Sequence, residues 1–102
     1  MSKCNKLVKD NIPDIITASG QKPISVRLTG KEFIDALIEK LFEEVQEIKQ
    51  EPNVEELADL EQVIIAIAKE LGISVKQLEE VRELKVKERG SFNIGIFLRS
   101  VQ

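Results

Sequence analysis

KLFEEVQEIKQEPNVEELAD, residues 40–59, decides how this chain folds, because it sets acids inside two apolar helical patterns joined by a short Pro-Asn turn. Upstream, Ile34, Leu37, Leu41, Val45 and Ile48 recur at steps of three and four, as on one buried helix face. Continuing the steps from Leu37 and Leu41 reaches Glu44, at the edge of that face, with Glu47 one turn on and pointing the same way. Downstream, Glu56 and Asp59 precede Val63, Ala66 and Ile67 along one side of a second helix. The turn is short enough to force the helices antiparallel, bringing 44 and 47 near the level of 56 and 59. Carboxylates converging from two helices suit a hard divalent cation and repel one another without one. The plain alternative is a solvated acidic face, since Glu is a strong helix former and acids favour a first turn. An Asp inside a helix between Leu57 and Leu60 is a poor propensity choice, which weighs against that alternative.

Working outward, each helix boundary has a local signal. Thr29 with Glu32 reads as a capping box opening a helix over about 30–50, which Pro52 stops. Asn53 with Glu56 repeats the signature and opens a helix to Leu71, closed by Gly72. Ser74 with Gln77 opens a third long helix to about Glu88, with Val75, Leu78, Val81 and Val86 inward and Gly90 after its end. Asn11 and Pro13 predict a short helix carrying Ile12, Ile15 and Ile16 inward until Gly20. The fold class is therefore mainly α, a helical bundle, and the alternating ISVRL together with the aromatic, β-branched tail leaves room for a small β element formed by residues 24–28 and 92–101. Residues 63–68 (VIIAIA) are apolar on nearly every side; they call for cover on more than one side and predict a homodimer or a dimer of dimers.

Composition narrows the classes. A chain of 102 residues reads as a single domain over 1–102, and 42% hydrophobic residues exclude a disordered chain. A net charge of −3 argues against a nucleic-acid partner, and no apolar run reaches the ~18 residues that span a bilayer. The polar start lacks a secretory apolar stretch, and a lone cysteine, Cys4, forms no internal disulfide, so cytoplasmic localisation is expected. With no histidine, a metal site has to be built from oxygen ligands, which favours Mg²⁺ with Mn²⁺ as the alternative, and a histidine base is excluded.

The pattern K-L-x-E-E-x-x-E followed by E-L-A-D, with KLVKDNIP at 6–13 and KVKERGSF at 85–92, resembles the all-α nucleoside triphosphate pyrophosphohydrolases, in particular short MazG-like and phosphoribosyl-ATP pyrophosphohydrolase-like proteins. The resemblance implies packed helices, Mg²⁺ dependence and cleavage of a nucleotide between its α and β phosphates. Carried over by position, it implies Glu44, Glu47, Glu56 and Asp59 as metal ligands and Glu43 as a supporting acid that orients or deprotonates the attacking water. A triphosphate also needs cations, and Lys40, Lys9, Lys85 and Arg89 are candidates for it, with Phe92 as a stacking platform for the base. Two departures stand out. Only eight residues separate Glu47 from Glu56, and Lys9 and Asn11 stand where the family's N-terminal segment has Arg and Lys. The competing expectations are a non-catalytic helical adaptor that binds a nucleotide or protein, and a plain bundle with surface acids.

Overall fold

The computed structural model describes residues 5–102 and contains four helices in chain order: α1 (Ile12–Ala18), α2 (Gly30–Gln50), α3 (Val54–Glu70) and α4 (Val75–Arg89). Cys4 lies outside the described residues.

Local chemistry sets most of the boundaries. Pro52 ends α2 two residues after Gln50, because it lacks an N–H and disfavours helical backbone in the residue before it. Asn53 is extended and its side-chain oxygen accepts from the Glu56 N–H at 2.9 Å, so α3 starts on a capped turn. Ser74 does the same for α4 through the Gln77 N–H at 3.1 Å. Gly72, at φ 75°, closes α3: its N–H bonds the Lys69 carbonyl at 3.1 Å and the Ile73 N–H bonds the Ala68 carbonyl at 2.8 Å, the double closure that a left-handed residue permits. Two expected caps do not form. Thr29 makes no side-chain bond to α2, because Gly30 takes φ 59° at the first helical position and redirects the turn. Asn11 makes none to α1, whose entry is instead held by a turn from the Lys9 carbonyl to the Ile12 N–H at 3.0 Å.

The centre of the fold is the antiparallel α2–α3 hairpin. Leu37 on α2 and Val63 and Ala68 on α3 are its buried apolar residues, flanked by half-buried Ile34, Leu41, Ile48, Leu60 and Ile67. The inner face of α2 runs through Leu37, Leu41, Glu44 and Ile48 and leaves Val45 45% exposed, so the expected stripe is rotated by part of a turn towards the acid. Residues 5–16 cross one side of the hairpin. Asn5, Lys6 and Leu7 border Ala36, Glu39 and Glu43 of α2, while Lys9 to Ile12 and Ile15 border Gln62 of α3. Within 63–68 the cover is partial: Val63 and Ala68 are buried, Ile65, Ala66 and Ile67 half-buried, and Ile64 39% exposed.

The C-terminal part departs from expectation. Among the described residues α4 packs only on α3 and buries no residue; Leu78 is half-buried, while Val75, Val81 and Val86 are exposed because no further described layer lies over them. Residues 24–28 and 92–101 form no β element, and no strand occurs among the described residues. Neither segment pairs with another strand among the described residues, and a turn at Asn93–Ile94 with Gly95 at φ 63° interrupts the tail. No helix among the described residues is long and apolar enough to cross a membrane.

Candidate metal centre

Three of the four expected acidic ligands converge in the inner face of the hairpin. One carboxylate oxygen each from Glu44, Glu56 and Asp59 lies within 4.8 Å of the other two. The i,i+3 spacing on α3 puts Glu56 and Asp59 on one face, and the three-residue connection 51–53 returns that face to Glu44. Glu47 is exposed and stands outside this trio, yet it touches it through Glu56, with which it can share a proton.

The acids are poorly compensated. Glu44 is only 6% exposed, and its Oε2 and that of Glu56 are buried without a hydrogen-bond partner among the described residues. An unpaired buried carboxylate oxygen forfeits its hydration and costs free energy unless another group or ion meets it. Burial, and then the charges of Glu47 and Asp59, push the Glu44 carboxyl above the usual glutamate range, with Lys40 partly opposing them. The Glu56 carboxyl is raised chiefly by its hydrogen bond to Glu47, then by burial and by the Glu47 and Asp59 charges.

Among the described residues, Lys9 and Lys40 bring positive charge to the cluster. Lys9 Nζ donates to Asp59 Oδ1 at 2.7 Å, and this bond holds the Lys9 ammonium above its ordinary range. Lys40, half-buried on α2, pairs with Glu43 at 3.5 Å and Glu44 at 3.9 Å. Glu43 itself is exposed at the rim, beside the N-terminal segment. The remaining expected contacts are not assembled. Lys85 and Arg89 form no ion pair or hydrogen bond with the cluster among the described residues, and α4 makes no close approach to α2. Phe92 is fully exposed and stacks on nothing described.

The chain's sequence alone did not pair Lys9 with Asp59, since fifty positions separate them and no periodicity links a loop to a distant helix. The basic character of KLVKDNIP was the available signal. Beside Lys9 an open cleft of about 380 Å³ is walled by Asp10, Asn11, Ile12, Ile15 and Gln62.

Comparison with known proteins adds little. A segment of 44 residues is 46% identical to an uncharacterized protein of Mycolicibacterium smegmatis (strain ATCC 700084 / mc(2)155), covering 43% of this chain and 45% of that protein, so the match spans less than half of either. No family model matches the chain, and no solved structure matches it.

Proposed function

We propose that this chain is a divalent-metal-dependent nucleotide pyrophosphohydrolase of the MazG-like type, cleaving a nucleoside triphosphate or related nucleotide between its α and β phosphates to give monophosphate and pyrophosphate. The observation that carries the reading is the trio Glu44, Glu56 and Asp59, with two buried carboxylate oxygens left without partners among the described residues. The donor set fits the cation: all-oxygen, anionic and free of histidine, it suits Mg²⁺ or Mn²⁺ rather than Zn²⁺. Glu44, Glu56 and Asp59 would hold the ion directly, and Glu47, through Glu56, completes the acidic wall. A bound divalent ion supplies Lewis acidity and neutralises phosphate charge during in-line displacement.

The chain's own groups divide the remaining work. Lys9 sits on Asp59 as an internal counterion and, released from it, offers an ammonium to a phosphate oxygen. Lys40 restrains Glu43 and moderates the charge on Glu44. Glu43, exposed at the rim, takes in this reading the role of orienting or deprotonating a water. Lys85, Arg89 and Phe92 have no part in this scheme as the chain stands.

The test is pyrophosphate release from a panel of nucleoside triphosphates with Mg²⁺, alongside calorimetric titration of the metal. Metal-dependent release is expected, and its loss in Glu43→Gln with metal binding retained. Absence of turnover with every nucleotide overturns the enzymatic reading, and absence of Mg²⁺ or Mn²⁺ binding overturns the site.

A further inference from the structure

The segment 5–16 reaches the acidic trio on a slender attachment. Residues 5–9 have no regular secondary structure, and α1, which follows them, packs closely on no other helix among the described residues. Leu7, Ile12, Pro13 and Ile16 are half-buried, and no residue of the segment is buried. Among the described residues the single hydrogen bond from this segment to the hairpin runs from Lys9 Nζ to Asp59 Oδ1, at 2.7 Å. The Lys9 side chain is 57% exposed, so solvent screens this bond and little is lost in breaking it. Lys40 differs in kind. It is half-buried, and its partners Glu43 and Glu44 lie three and four residues on along its own helix.

Asp59 is thus claimed twice, by Lys9 in the chain as it stands and by a divalent ion in the reading above. An ion on the Asp59 carboxylate would stand about 5 Å from the ammonium, where repulsion between the two outweighs the worth of an exposed pair. We infer that Lys9 is a displaceable counterion at the metal centre: a divalent ion that takes Asp59 drives Lys9 off and releases residues 5–16 from the α2–α3 hairpin. The inference rests on the proposed metal site and goes beyond it in tying the N-terminal segment to the ion. Coupling of this kind is reciprocal, so the ion loosens the segment and the docked segment weakens the ion. Lys9 also walls the cleft that Gln62 lines, and Gln62 follows Asp59 by about one turn of α3. The cleft therefore opens when the ion binds, which puts ion before nucleotide in the order of binding.

Calorimetric Mg²⁺ titration of the full chain, with backbone amide relaxation measured by NMR, tests this. Lys9→Met is expected to bind Mg²⁺ about two- to fivefold more tightly than wild type. Lys9→Arg keeps the pair and binds no more tightly than wild type. Lys6→Met removes the same charge from the same segment, at a residue with no ion pair among those described, and leaves the affinity unchanged. In wild type, saturating Mg²⁺ lowers the order parameters of residues 5–16; in Lys9→Met they are low before the ion is added. An ion that binds without loosening the segment overturns the inference and leaves the metal site standing, as does equal affinity in wild type and Lys9→Met. Equal tightening by Lys6→Met reduces the effect to net charge and overturns the inference too. Absence of Mg²⁺ and Mn²⁺ binding in both wild type and Lys9→Met overturns site and inference together, whereas binding confined to Lys9→Met supports both. Should Lys9→Met fail to fold, the relaxation of wild type with and without Mg²⁺ decides alone.

Discussion

The α2–α3 hairpin and α4 with its tail are built from similar materials, amphipathic helices with capping signals, and arrive at opposite states. The hairpin buries a carboxylate, Glu44, while two residues away Phe42 stands in solvent; α4 buries nothing at all. An apolar stripe becomes core only where a second element is held against it. Here the three-residue turn at 51–53 holds α3 on α2, whereas α4 follows the Gly72 turn and, among the described elements, meets α3 alone. The hairpin is therefore where substitutions should be felt, and α4 where they should pass.

The largest expected effect is on the acids. Glu44→Gln and Asp59→Asn each abolish divalent-metal binding by calorimetry while helical circular dichroism persists; unchanged affinity in both would sink the site. Without metal, Glu44→Gln also stabilises the fold by about 1 kcal/mol in chemical denaturation, since it removes an uncompensated buried charge. Next in size, Leu37→Ala costs about 2–5 kcal/mol, whereas Val81→Ala on α4 costs under about 0.5 kcal/mol; equal losses would erase the contrast between the two regions.

A pH series sharpens the same contrast. Glu44 and Glu56 keep their protons to higher pH in the folded chain than in the unfolded one. In that window the folded state binds more protons, so metal-free stability is greatest at low pH and falls as pH rises from the ordinary glutamate range through the raised values. Mg²⁺ should flatten this dependence. Denaturation midpoints measured across the range with and without the ion give the check, and a midpoint that rises with pH contradicts the assigned signs. The smallest effect concerns caps. Asn53→Ala should cost about 1 kcal/mol through loss of the Glu56 N–H bond, and Thr29→Ala nearly nothing, as its hydroxyl caps no amide.

What could be read from the chain beforehand was what is local. The limits expected for α2, α3 and α4 agree with the observed ones to within a residue or so, because Pro52, Asn53, Gly72, Ser74 and Gly90 act on their immediate neighbours. The convergence of Glu44 with Glu56 and Asp59 was legible for the same reason, being set by helix spacing and one tight turn. Three features were not. The burial of Glu44 in preference to Val45 depends on how the hairpin rotates, which spacing alone leaves free. The Lys9–Asp59 bond joins a loop to a distant helix. The bare surface of α4 and the unpaired segments 24–28 and 92–101 show that amphipathic and alternating patterns specify a demand for a partner, not its presence.

The tight turn at 51–53 has a kinetic consequence. The three converging carboxylates all come from residues 44–59, so they are pressed together by the most local long-helix contact in the chain, the kind that forms early. Their mutual repulsion is then met on the way up the folding barrier rather than after it. Relief of that repulsion, by protons or by a divalent ion, should raise the refolding rate measured by stopped flow more than it lowers the unfolding rate, making the turn a rate-setting element as well as a geometric one.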